Sequence, residues 1–351
     1  MAMRSQSKQR GYSLVELLIA MALGVLVLTA AMMMLTKAMD ATFMVTQRAE
    51  MQANARTAIG FLSRDLSLAG TGFPQGGIQG PTGAGSSAPK FGCSAVQGCY
   101  FGLNQYPNNY ITAIVPNPNG GPLQLGVQTA VVTVVYLDTT LPLNTFPLAA
   151  VNAAGNQITF AAGYNPPIND PVVGLQVGDV LYLQNANGTA MAEITGIGGN
   201  VITLANLDPL NLNQSAAATG NVKSLANPSP PAVAGTYPQI SAYRLNVITY
   251  FIQVQANGTP RLMRQVNAQN AIPIADNIEN LQLSYDIFDD TAGVATANLP
   301  NANNKPNQIR QVNVVVTART PSRQKPFNDF QRLTLATSVV PKNLSFRDRY
   351  Q

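Results

Sequence analysis

The chain has 351 residues, 46% of them apolar, so it can bury a sizeable core and is not a disordered polypeptide. Charged residues make up only 11%, and Arg4, Lys8 and Arg10 supply three of the five net positive charges, so the sequence pI of 9.2 is no argument for nucleic-acid binding. There is no His and no Trp, which removes every Ser-His or Cys-His arrangement and the commonest general base and metal ligand.

In chain order, a polar, basic segment from Met1 to Arg10 comes first, followed by Gly11-Tyr12-Ser13-Leu14-Val15-Glu16. Leu17 to Thr36 carries no charge and Lys37 is the first charge after it. Roughly 20 apolar residues span a hydrocarbon core of ~30 Å as a helix. The basic segment predicts a cytoplasmic N-terminus and export of the rest. Three readings fit such a run: a secretory signal cleaved after it, a plain membrane anchor, or a leader cleaved before it. Glu16 separates them, because a carboxylate in an apolar helix costs about 2.5–3.5 kcal/mol when central, and a plain signal or anchor has no use for it.

Gly11-Tyr12-Ser13-Leu14-Val15-Glu16-Leu17-Leu18-Ile19-Ala20-Met21 resembles the prepilin cleavage and methylation motif of type IV pilins and type II secretion pseudopilins. The resemblance implies that a prepilin peptidase cuts after Gly11 and that Tyr12, where the family usually has Phe, becomes the N-methylated first residue. It also implies that Glu16 serves assembly, by pairing with the Tyr12 amine of the next subunit. In a low-dielectric helix bundle that pairing offsets the desolvation of both charges. Other pilins, the peptidase and an inner-membrane assembly platform are the implied partners.

Met44, Met51, Ala55, Ile59, Leu62, Leu66 and Ala69 continue one apolar stripe on a helix of period 3.6, and no Pro interrupts Tyr12 to Phe73. Gly70 and Gly72 supply the stop, so one helix is predicted over 12–70, with its membrane half at about 14–36. Its end, Ala55 to Gly70, resembles that of the PilW family of minor pilins and is also similar to J-type pseudopilins.

Residues 71–127 read as loop-rich, without a phosphate-binding loop. Cys93 and Cys99 fall here. In an exported chain they are expected to form a disulfide, which stabilises by ~2 kcal/mol. A β-rich insertion is predicted over 128–205, with a hairpin turn at Asn187-Gly188. Residues 206–239 read as a linker or surface loop around Pro228-Ser229-Pro230-Pro231. The segment 240–351 is similar to the C-terminal sheet of PilW-type chains, with a hairpin at Asn257-Gly258.

Asp286, Asp289 and Asp290 do not have the spacing of a calcium loop and read as an exposed turn. Asp138, Asp170 and Asp179 stand apart in sequence and suggest no carboxylate pair. The expected fold is therefore α+β: a long N-terminal helix, half membrane-spanning and half amphipathic, packed on an antiparallel sheet with an extra β-rich insertion. The expected function is a minor pilin that helps initiate or cap a type IV pilus. The alternatives are a J-type pseudopilin of a type II secretion system and a tip adhesin-like binding head. No enzymatic activity, cofactor, metal or nucleic-acid partner is expected. The expected location is the inner membrane as a single-pass protein, then a pilus or a periplasmic or cell-surface filament.

Overall fold

A computed structural model describes residues 11–74, 77–87, 89–90, 110–227, 235–289, 294–297, 308–324 and 328–345. After helix α1 (Leu14–Leu68) come β1 (Ile78–Gln79), β2 (Tyr110–Ile111), β3 (Ile114–Asn117), the hairpin β4 (Leu123–Gln124) and β5 (Val127–Gln128), and β6 (Val131–Asp138). The middle of the chain gives β7 (Ala150–Val151), β8 (Gln157–Thr159), β9 (Val180–Asn185), β10 (Gly188–Glu193), β11 (Gly196–Gly198) and β12 (Val201–Thr203). The last third gives β13 (Ser241–Val254), β14 (Pro260–Val266), β15 (Ile272–Asp276), β16 (Ile278–Asp289), β17 (Val294–Ala297), β18 (Ile309–Arg319), β19 (Arg332–Val339) and the single turn α2 (Lys342–Ser345). The class is α+β, as expected.

Helix α1 has 55 residues, about 83 Å at 1.5 Å per residue. Ser13 caps its start and Glu16 closes a capping box. It stops where expected, at Gly70 and Gly72, whose φ of 77° and 66° suits glycine. At Gly72 a side chain is also barred by space, since a Cβ there would lie 2.3 Å from Leu137 Cδ1. The Gly70 amide leaves the helix and donates to the Val135 carbonyl at 3.0 Å.

The two halves of α1 differ in environment. Every residue from Leu14 to Phe43 is exposed. Beyond it, Met51, Ala55, Leu62, Leu66 and Ala69 of the predicted stripe are buried, and Met44 and Ile59 are half-buried. That stripe packs on β6, β15, β18 and β19. Leu62 is fully buried in the main core, so Leu62→Ala is expected to cost about 2–5 kcal/mol, read as a lower denaturant midpoint.

Two antiparallel sheets lie beneath the helix. The larger runs β10-β9-β13-β14-β15, with β6 and then β3 attached through β13, and the smaller runs β17-β16-β18-β19. The Ala130 amide joins them by donating to the Leu281 carbonyl at 2.8 Å. The predicted turns are present, with β9 and β10 paired up to Asn185↔Gly188 and β13 and β14 up to Val254↔Pro260.

The expected division into an insertion at 128–205 and a sheet at 240–351 does not follow the pairing. β13 is 14 residues long and serves both stretches. One of its edges takes β6 along Arg244–Tyr250. Its other edge takes β9 along Ser241–Leu245 and β14 along Ile248–Val254. Asn267 fills the step between those two strands: it accepts from the Val247 amide through Oδ1 (2.8 Å), and its own amide donates to the Val247 carbonyl (2.7 Å). What remains separate is a second core, formed by residues such as Ile158, Phe160, Tyr164, Ile202, Leu204 and Leu225, beside the small sheet β11-β12-β8-β7. β9 and β10 serve both cores, with Val180, Tyr182 and Met191 in the main one and Leu181, Leu183, Ala190 and Ala192 in the second. Strands buried on both faces read as continuous apolar runs, which say nothing about their partners.

The stretch expected as a linker at 206–239 is packed where it is described. Leu212, Val222 and Leu225 are buried. Asp208 accepts from the Leu212 and Asn213 amides, both at 2.8 Å. The stretch also pairs with part of the loop-rich region 71–127: Ser87 N donates to Gln214 Oε1 (2.7 Å) and Lys90 N to the Leu210 carbonyl (2.9 Å). Asn, Asp, Ser and Gln side chains replace a strand ladder here by bonding backbone groups directly. Pro228-Ser229-Pro230-Pro231 lies outside the described residues.

Candidate functional site at the N-terminal helix

Gly11, Tyr12 and Glu16 share the exposed start of α1. Tyr12 is 88% exposed, and a side chain at Gly11 would meet nothing within 4 Å. Ser13 Oγ accepts from the Val15 amide (3.3 Å), and Glu16 Oε2 accepts from the Ser13 amide (3.4 Å). Glu16 therefore has a local role that the sequence reading missed: it satisfies an amide that the helix start leaves without a partner. The S-x-x-E spacing carried that signal. The helix that follows is long and apolar enough to cross a membrane, with mean hydropathy 2.5 over its most apolar 18 residues and none of that window buried.

The other candidates have different fates. Cys93 and Cys99 lie outside the described residues, as does Asp290. Asp286 and Asp289 are in strand β16 rather than in the expected turn, and Asp286 Oδ1 accepts from Asn313 Nδ2 at 3.1 Å. No group of three or more His, Cys, Asp or Glu that could hold a metal ion occurs among the described residues. Asp138 and Asp179, remote in sequence, both meet Arg244, at 2.7 Å and 3.8 Å, while Asp170 caps its own turn by accepting from the Val172 amide (2.8 Å) and the Val173 amide (2.9 Å).

Three buried polar clusters hold the head together and escaped the sequence reading. The first fastens α1 to the larger sheet. Asp65, 1% exposed, accepts from Arg264 Nε at 2.9 Å and from the Tyr250 hydroxyl at 2.5 Å. Burial raises the pKa of Tyr250, and the bond to Asp65 raises it further. The available signal was Asp65 itself, a carboxylate three residues after Leu62 on the apolar stripe. The second cluster is Glu279, 4% exposed, held by Arg332 Nε at 2.7 Å with Arg319 at 3.6 Å. The third is a carboxyl pair. Glu193 hydrogen-bonds Asp208, which already accepts two backbone amides, so the shared proton belongs to Glu193. Burial and the neighbouring Asp208 push Glu193 well above the usual carboxylate range.

Two comparisons bear on these features. Residues 6–32 match the family model of the prokaryotic N-terminal methylation motif. Residues 249–349, from within β13 past the end of β19, match that of Type IV Pilus-assembly protein W. No curated protein and no solved structure matches the chain. A methylation motif leading an exposed apolar helix, which then packs on an antiparallel head, defines a type IV pilin-like protein. Within that class the second match likens residues 249–349 to Type IV Pilus-assembly protein W. Residues 33–248, which include the second core, lie in neither match.

Proposed function

We propose that the chain is a minor pilin that helps to initiate or cap a type IV pilus and is not an enzyme. The observation that carries this reading is the exposed half of α1. Thirty residues, Leu14 to Phe43, project from the head with their apolar side chains uncovered. Such a surface needs lipid before assembly and other pilin helices after it. The reading takes prepilin peptidase to cut between Gly11 and Tyr12, Tyr12 to be N-methylated, and Glu16 to exchange its local cap for the amine of a neighbouring subunit. The chain then stands in the inner membrane, engages an assembly platform and leaves in a filament. The head favours an end position. β9 joins β13 at Ser241–Leu245, next to Leu137, whose amide donates to the Thr71 carbonyl just past the end of α1. The second core therefore adds bulk at the end of the head remote from the exposed helix, where a filament tip has room for it.

Intact mass and N-terminal sequencing of the protein from its host membrane test the processing step. The expected chain begins with N-methyl-Tyr12, and one beginning beyond the apolar run would sink the reading. For assembly, Glu16→Ala is expected to leave the subunit in the membrane and to lower its recovery in sheared filaments by about tenfold or more, since an amine buried without a counter-charge costs several kcal/mol. Undiminished incorporation of that variant would remove the assembly role of Glu16.

A further inference from the structure

The apolar run ends at Thr36, and the residues after it stand at the depth of phospholipid headgroups. A bilayer adds about 5–8 Å of headgroup region beyond each side of its ~30 Å hydrocarbon core, which is about three to five helical residues. Lys37 to Ala41 fill that interval. In the structure this turn forms one wall of a cleft of about 570 Å³. Lys37, Asp40, Phe43 and Met44 line it from α1, and Arg323 and Gln324 line it from the loop between β18 and β19.

Two of the charged groups of the cleft stand unpaired. Lys37 and Asp40 make no hydrogen bond or ion pair among the described residues. Arg323 is exposed and donates to the Asn328 carbonyl at 3.3 Å. Gln324 is 7% exposed; its Nε2 donates to Gln47 Oε1 at 3.2 Å, while its own buried Oε1 has no partner. Two cations and a carboxylate make a zwitterionic site.

We propose that this cleft holds a phospholipid headgroup of the leaflet on the head's side of the membrane, one that carries a phosphate diester and a primary ammonium. Lys37 and Arg323 face the phosphate, and Asp40 accepts from the ammonium. A quaternary ammonium has no N–H to donate to Asp40. The bound lipid sets the depth of α1 in the bilayer and holds the head against the membrane until assembly. The inference rests on the membrane-anchored reading of α1.

The test uses the full chain in mild detergent, with native mass spectrometry counting retained phosphatidylethanolamine and phosphatidylcholine offered at equal concentration. Ethanolamine lipid is expected to be retained about tenfold better, the value of one to two charge-assisted bonds. Asp40→Asn is expected to erase that preference while leaving both lipids bound. Lys37→Ala with Arg323→Ala is expected to lower retention of both. Equal retention by the unaltered chain, no effect of the three substitutions, or displacement by inorganic phosphate alone would overturn the site. Cross-links from position 40 to a second copy instead of lipid would do the same. Release of the chain from membranes by alkaline carbonate would overturn the anchored reading itself, and so differs from a chain that stays inserted without headgroup preference.

Discussion

Asp65→Ala is expected to destabilise the head by about 3 kcal/mol, at the lower end of the range for breaking a buried ion pair, because Arg264 keeps some contact with water. The side chain of Asp65 is 2% exposed against 19% for Arg264. Removing it strands the guanidinium at the helix–sheet seam and leaves the Tyr250 hydroxyl with the Phe61 carbonyl at 3.3 Å as its remaining acceptor. The charge at Asp65 is what holds Arg264 above its ordinary pKa despite burial, which alone would lower it. Urea unfolding followed by circular dichroism measures the loss. Asp65→Leu combined with Arg264→Met should recover part of it, since an apolar pair leaves no buried charge unmatched. An unchanged midpoint for Asp65→Ala would mean that the cluster contributes nothing to docking the helix.

The second large effect is a pH dependence that resides in one proton. Glu193 and Asp208 share a hydrogen bond, and it persists only while Glu193 is protonated. The folded pKa of Glu193 lies above its value of 4.5 in an unfolded chain. Its contribution is therefore complete below the unfolded value and is lost as pH rises through the folded one, because there the unfolded chain has released a proton that the folded chain still binds. The segment that loosens is Leu210–Asn213, since Glu193 Oε2 accepts from the Leu210 amide at 2.9 Å and Asp208 from the next two residues but one, Leu212 and Asn213. Hydrogen exchange at these amides is expected to speed up between pH 4.5 and about 8 beyond the intrinsic rise, and Glu193→Gln, which keeps a donor for Asp208 without a titrating proton, is expected to abolish the excess. An identical pH profile in that variant would rule Glu193 out as the source.

Much of this architecture is legible in the sequence, for physical reasons. The long helix has a cap, a period and a stop within reach of local reading: Ser13 with Glu16 at its start, the stripe through Leu62 and Leu66, and Gly70 at its end. The turns at Asn187-Gly188 and Asn257-Gly258 are equally local. Partnership is not local. β6 and β9 meet β13 across about a hundred and about sixty residues of chain, and no property of Val131–Asp138 names Arg244–Tyr250 as its neighbour. The same limit hid the polar clusters, since Asp65 is separated from Arg264 by 199 residues and Asp138 from Arg244 by 106. Residues 206–227 misled for another reason: their Asn, Gln and Ser content matches a solvated loop, while here those side chains bond buried backbone groups.

The double use of β13 has a mechanical consequence. A pull applied at the second core enters the chain at Ser241–Leu245 and leaves through the anchor of α1 at Tyr250, along the length of one strand. Loaded in that direction, the bonds to β6 are strained together, in shear, and do not open one after another as the bonds of a peeled hairpin do. The far module and the helix therefore bear tension as one piece.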